Sequence, residues 1–91
     1  MKKIKVNQME SPRTGRPIAN QFEIYTDKGV YFQSYYSIIA FKPHNGKTQL
    51  DEYYWDYSRT TSRYRNEFLR ETTKETRRKI KEGEYILTNL N

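Results

Sequence analysis

The sequence predicts an α+β domain: an antiparallel sheet of four to five strands, two short consecutive helices packed on it toward the C-terminus, and a final strand. Three observations carry this expectation. Period-two alternation interrupted by turn dipeptides fills the chain up to Leu50. Helical spacing and a capping box occupy the stretch from Thr60 to Glu82, and a short apolar return follows from Glu84 to Leu90. With 91 residues, a second core would leave each half below the size that usually folds alone, so one domain, 1–91, is expected.

Ile4 and Val6 alternate with Lys3, Lys5 and Asn7, the pattern of a short half-buried strand. Ser11 to Pro17 holds two prolines and a glycine and reads as an exposed loop presenting Arg13 and Arg16. From Asn20 to Thr26, Phe22 and Ile24 share one face and Gln21, Glu23 and Tyr25 the other. Asp27-Lys28-Gly29 suits a three-residue turn closed by a left-handed glycine, so Val30 to Ser34 is expected to fold back as an antiparallel partner. Tyr31 to Phe41 is rich in aromatic and β-branched residues and reads as one long strand, with a bend or bulge at Tyr35-Tyr36. Asn45-Gly46 predicts a two-residue hairpin turn between Ile38–Lys42 and Lys47–Leu50.

Asp51 to Tyr57 packs aromatics between acids and reads as an irregular link to the first helix. That helix is expected to start at Thr60 or Thr61, with Tyr64, Phe68 and Leu69 as its buried stripe. Thr72-Thr73-Lys74-Glu75 is a capping box opening a second helix, and Gly83 is its expected left-handed stop.

Only 17 of the 91 residues are Ile, Val, Leu or Phe, which alone would suit a disordered chain; nine Tyr and one Trp make a thin aromatic core feasible. Trp55, Tyr64, Phe68, Phe22 and Phe32 are the expected core rings. The absence of cysteine excludes disulfides, thiolate metal sites and thiol nucleophiles. No apolar run reaches membrane-spanning length, and the basic start is not followed by a signal-type apolar stretch; a soluble cytoplasmic protein is expected.

The net charge of +6 is unevenly placed. From Ser58 to Glu82 there are nine bases and four acids, so this 25-residue segment holds nearly all of the excess. Such a field attracts polyanions, with nucleic acid or nucleotide phosphate foremost. Lys74, Arg77, Arg78 and Lys81 stand at i, i+3, i+4 and i+7, a basic stripe, while Arg63 and Arg70, seven apart, share an outward face. With Arg13 and Arg16 from the loop, these form the expected phosphate-binding set, and Tyr35, Tyr53 and Tyr57 are the expected aromatic contacts for stacked bases.

Catalytic chemistry has little to draw on. His44 is the only histidine, the acids Asp51, Glu52 and Asp56 come with no sign of a cleft, and each glycine is explained by a turn or cap. Neither a metal motif nor a nucleotide-binding glycine pattern is present, so a non-enzyme without metal or cofactor is expected. The two successive helices match helix-turn-helix readers poorly, because their joint, Leu69 to Thr72, lacks glycine and Glu71 and Glu75 open the second helix where base contacts would fall.

From Asn20 onward the chain resembles a small domain family encoded by tailed phages and prophages. The resemblance rests on Asn20-Gln21-Phe22, Tyr31 to Tyr35, Ser37 to Ala40, Leu50-Asp51, Trp55-Asp56-Tyr57-Ser58, Thr60-Thr61, Tyr64-Arg65-Asn66, Phe68-Leu69 and Ile80 to Tyr85. Relatives often carry glycine after the Phe-Leu pair, where this chain has Arg70. The resemblance implies an accessory phage product acting in the bacterial host cell. Proteins of that kind bind DNA, RNA or a host protein, components of antiviral defence included, and sequestration of a signalling nucleotide is a third reading.

Overall fold

The computed structural model describes residues 3–91, in the order β1 (Lys5–Glu10), β2 (Pro17–Tyr25), β3 (Gly29–Ser34), β4 (Ser37–Pro43), β5 (Gln49–Asp51), α1 (Arg59–Leu69), α2 (Thr73–Lys81) and β6 (Ile86–Thr88). The architecture is α+β, with both helices following the strands of a six-stranded sheet ordered β1 to β6. The first five strands pair antiparallel and the expected final strand, β6, runs parallel to β5, so the sheet is mixed. The parallel entry follows from the two intervening helices, which carry the chain back to the starting end of β5.

The hairpin between β2 and β3 forms as predicted, with Tyr25 opposite Val30. Its glycine differs in detail: Gly29 takes an extended positive φ of 153°, and a Cβ there would stand 2.3 Å from the Lys42 carbonyl oxygen, so the position excludes any side chain. The single long strand expected over Tyr31 to Phe41 is instead two strands joined by a tight turn, Ser34 opposite Ser37. Tyr35 supplies the positive φ of 57° that such turns need, and its N–H donates to the Asn20 carbonyl at 2.7 Å. The Asn45-Gly46 turn is looser than expected. Ala40 pairs with Leu50 and Phe41 with Gln49, a register that turns Leu50 toward the helices.

Opposed residues of an antiparallel pair share a face. Gln21 and Ser34, Glu23 and Phe32, Tyr25 and Val30, and Val30 and Lys42 lie on the side covered by the helices. Phe32 stacks on Phe68 of α1 at 5.6 Å, and the Ser34 hydroxyl bonds Thr61 at 3.0 Å. A bulge between Phe32 and Gln33 lets Ile39 and Ala40 both enter this core beside Met9, Leu50 and Tyr64. Phe22 therefore departs from expectation: it sits opposite Gln33 on the other face, and fully buried Gln21 takes the core side with its amide unpaired among the described residues. Ile4 and Val6 likewise stay exposed, leaving Met9 as the buried residue of β1.

The face away from the helices carries Val6 opposite Ile24, Phe22 opposite Gln8, Tyr31 opposite Phe41, and Ile38 opposite Gln33. Tyr31 and Phe41 stack at 4.1 Å. Phe41 is buried on this face, Phe22, Ile24, Tyr31 and Ile38 are half-buried, and Val6 is exposed.

Helix α1 starts two residues earlier than expected. Ser58, extended at φ −151°, caps it by accepting from the Thr61 amide, while Thr61 itself is buried. The helix ends at Arg70, which adopts φ 58° and ψ 49° and donates its N–H to the Asn66 carbonyl. Lys42 reaches up from β4 to the Phe68 carbonyl at 2.9 Å, satisfying another orphan acceptor of that end. Burial depresses the Lys42 ammonium, with Glu23 partly restoring it. Helix α2 opens with the predicted Thr72–Glu75 capping box and ends before Gly83 at φ 79°.

A left-handed cap built from arginine costs more than one built from glycine. Arg70→Gly is expected to stabilise the fold by about 0.5–1 kcal/mol, read as a higher melting temperature; a lower one would contradict the cap assignment.

Candidate nucleic-acid interface

The segment before α1 is ordered by one residue. Arg65 is fully buried, and its guanidinium donates through Nη1 to the Trp55 carbonyl and through Nη2 to Thr73 Oγ1 at 2.8 Å and Asn66 Oδ1 at 3.0 Å. Longer contacts of 3.4 Å reach Asp56 and Ser62. Its charge also lies over the Trp55 ring, 5.1 Å from the centroid. Burial lowers the guanidinium's pKa, and Asp56 partly offsets this. Asp56 accepts from Ser62 at 2.7 Å and pairs with Arg77 of α2 at 3.2 Å; the Ser62 bond foremost, with Arg65 and Arg77 added and burial opposing, holds this carboxyl below its ordinary value.

A second anchor lies between the helices. The Glu71 side chain, only 3% exposed, accepts from Lys79 at 2.8 Å and Tyr85 at 2.6 Å, and from Thr76. Burial opposes ionisation of Glu71, but these three donors outweigh it and its pKa falls, while burial and the Glu71 bond push Tyr85 up to about 12. Asp51 is a third: its buried carboxylate accepts from the amides of Tyr53, Tyr54 and Leu90 and from Asn91, and these bonds outweigh burial to lower its pKa. Asp51, Asp56 and Glu71 are thus occupied in structure.

Of the expected phosphate-binding set, α2 keeps its stripe. Lys74, Arg77, Arg78 and Lys81 are exposed and together line a shallow depression of about 410 Å³, with Glu75 of the capping box. Arg78 is paired with Glu82 at 2.8 Å and Arg77 with Asp56, whereas no acid pairs with Lys74 or Lys81 among the described residues. Arg63 lines a second shallow groove, about 740 Å³, with Arg59, Asp56, Ser58, Ser62 and Asn66 along α1. The Asp56–Arg77 pair joins the two grooves.

The remaining bases are not brought in. Arg70 leaves the helical spiral at its left-handed cap and so does not share the face of Arg63. Arg13 and Arg16 lie at the tip of the β1–β2 hairpin, which the register carries four residues beyond the end of β3, since Gln21 already opposes Ser34. No printed bond or ion pair ties either side chain to the helices.

The aromatic contacts are exposed as expected: Tyr35 at 46%, Tyr53 at 73% and Tyr57 at 65%. Tyr35 and Tyr57 line one pocket of about 550 Å³ with Tyr36, Tyr54, Ile39 and hydroxyls of Ser34, Ser37, Ser58, Thr60 and Thr61. Tyr53 stands outside it, packed edge-on against Tyr54 at 4.7 Å, which meets Tyr57 at 5.5 Å. Ser58 lines both this pocket and the Arg59–Arg63 groove, so the ring-lined hollow opens beside the bases at the first turn of α1. Arg59, Tyr36 and Tyr54 were missed in the sequence; the four-residue spacing of Arg59 and Arg63 was the available signal. Among the described residues no His, Cys, Asp or Glu side chains group closely enough to hold a metal ion, and no helix is long and apolar enough to cross a membrane.

Fold and surface define a small two-layer α+β domain with a basic helical layer. The chain belongs to DUF8033, a family of unknown function whose pattern matches residues 4–83. No curated protein and no solved structure matches it.

Replacing the Arg65 fork with a single ammonium removes the simultaneous contact to Trp55, Asn66 and Thr73. Arg65→Lys is expected to lose about 2–4 kcal/mol in urea denaturation; a loss within 0.5 kcal/mol, the ordinary surface range of roughly that size, would refute its central role. Glu71, Asp56 and Asp51 all titrate below their unfolded values. Their contribution is therefore present above the ordinary carboxyl range, 3.8 for Asp and 4.5 for Glu, and is lost as pH falls through and below it. Glu71→Gln is expected to lower stability at neutral pH and to flatten the acid limb of stability against pH.

Proposed function

We propose that this chain is a non-enzymatic binder of single-stranded nucleic acid or nucleotide phosphate, using the outer surface of its helical layer. The observation that carries the reading is a continuous arrangement of bases and rings: the Arg59–Arg63 groove on α1 shares Ser58 with a hollow lined by Tyr35, Tyr36, Tyr54 and Tyr57, and the Asp56–Arg77 pair links that groove to Lys74, Arg78 and Lys81 on α2. Phosphates track the bases while one unstacked base enters among the rings. The pocket lining holds no charge and many hydroxyls, which favours stacking with little sequence preference. In this reading the chain is an accessory phage product acting in the cytoplasm of an infected bacterium, as the resemblance implies.

Docking on a host protein is the second reading, of the anti-defence kind. Tyr36, 97% exposed at the β3–β4 turn, and Tyr53 favour it, since tyrosine is enriched in interface hot spots. Pull-down from lysate with and without nuclease separates the two readings.

Fluorescence anisotropy with a labelled oligothymidine tests the first. Binding at low salt is expected to weaken steeply as salt rises, and Lys74→Ala with Lys81→Ala is expected to reduce the log–log salt slope by about 1.4, roughly 0.7 per phosphate on single strands. Tyr57→Ala is expected to weaken the single-stranded complex by about 1–3 kcal/mol while sparing any duplex binding. No binding to single-stranded, duplex or RNA probes at low salt removes the reading.

A further inference from the structure

We propose that Asn45 is a site of spontaneous covalent modification, converting through a cyclic imide with Gly46 into aspartate and its β-linked isomer, isoaspartate. Of the asparagines in this chain, Asn45 alone is followed by glycine. The pair lies in the loop between β4 and β5, and both residues are exposed. A two-residue hairpin turn would lock both at positive φ, whereas here only Gly46 has it. The two strands pair only as far as Phe41 and Gln49, so the segment between them is an open loop. Among the described residues no hydrogen bond holds the Asn45 side chain or the Gly46 amide. Gly46 stands at φ 101° with no atom within 4 Å of where a Cβ would be, so its backbone is uncrowded and free to turn.

The reaction needs nothing besides water. The Gly46 nitrogen gives its proton to a base in solvent and attacks the Asn45 side-chain carbonyl carbon; the bond from that carbon to the amide nitrogen breaks, and ammonia leaves. Water then opens the imide. Opening at the side-chain carbonyl gives aspartate with the normal backbone, and opening at the backbone carbonyl gives isoaspartate, with one more carbon in the main chain. Either way a neutral amide becomes a carboxylate, and the net charge falls by one from +6. Other asparagines are held away from this geometry. Asn66 is fixed within α1 by Arg65 and Thr73, and Asn20 lies within β2 with its carbonyl accepting from Tyr35 at 2.7 Å. A side chain or peptide held in that way does not reach the near-attack arrangement that ring closure requires. The new carboxylate stands two residues from Lys47, whose ammonium otherwise donates to the Gly83 carbonyl at 2.7 Å, just past α2. Modification thus offers that cation an acid within its own loop and weakens the tie between the loop and the helical layer. The inference does not depend on the proposed function.

Incubation of the full folded chain in warm neutral buffer over days, followed by peptide mapping with mass spectrometry, tests it. Trypsin releases residues 29–47 as one peptide, since Pro43 blocks cleavage after Lys42. That peptide is expected to convert to its acid forms before any other asparagine-bearing peptide does. Its isoaspartate form is expected to accept methyl groups from S-adenosylmethionine through an isoaspartyl methyltransferase. Asn45→Gln, whose longer side chain closes the corresponding ring far more slowly, is expected to abolish the conversion. Gly46→Ala is expected to slow it at least about tenfold, equivalent to about 1.4 kcal/mol on the barrier. Another asparagine reacting first, a folded chain left unmodified over a span that converts the urea-unfolded chain, or an unchanged rate in Gly46→Ala overturns the inference.

Discussion

The fold of the C-terminal half depends on a buried guanidinium. Arg65 has a long ion pair with Asp56, 3.4 Å away and partly open to water, which cannot by itself hold the charge. Its charge is solvated instead by a backbone carbonyl, two side-chain oxygens and an indole ring, drawn from the link before α1, from α1 itself and from the start of α2. Three elements that share few apolar contacts are thereby fixed to one atom group. A burial of this kind is tolerable only when nearly every donor is filled, and here Nε alone lacks a partner.

This arrangement explains the dense run of polar and aromatic residues from Trp55 to Asn66, within the span that the family pattern matches. Trp55 supplies the carbonyl and ring, Asp56 ties Ser62 and Arg77, Ser58 caps α1, Thr61 bonds Ser34, Tyr64 and Phe68 fill the core, and Asn66 holds both Arg65 and Thr73. Every one of those residues is engaged in folding. The positions free to bind something else lie between them, at Tyr57, Arg59, Thr60 and Arg63, which point outward. A motif of this density is a signature of how the domain folds, and the exposed surface lies in its gaps.

What could be read from the sequence was what short-range chemistry decides: the capping box at Thr72, the hairpin before Gly29, the Tyr64–Phe68 stripe, and the α2 base spacing. What escaped was decided by contacts distant in sequence. The αL residue Arg70 closes α1 where Lys42 of β4 bonds the Phe68 carbonyl, and the Tyr35 turn is tied to Asn20 by its amide. Neither carries the glycine that would mark it locally. Arg13 and Arg16 were grouped with the helical bases on charge alone, and a hairpin's length, set by pairing register, carried them elsewhere. The parallel direction of β6 is set by the two helices that return the chain to the start of β5, and no property of Ile86, Leu87 and Thr88 specifies it.

The misreading of Phe22 and Ile24 has a physical cause that bears on the whole molecule. Alternation locates an apolar face without saying what covers it, and the usual assumption is that the apolar face meets the core. In this sheet both faces carry apolar residues, because the helices need Phe32, Ile39, Ala40 and Leu50 while the far side holds Val6, Phe22, Ile24, Tyr31 and Phe41. Gln21 enters the core through the parity that sends Phe22 outward, leaving its amide buried and unpaired. Such a register is unfavourable on both sides of β2: it buries an amide with no partner among the described residues and leaves the Phe22 ring only half-buried.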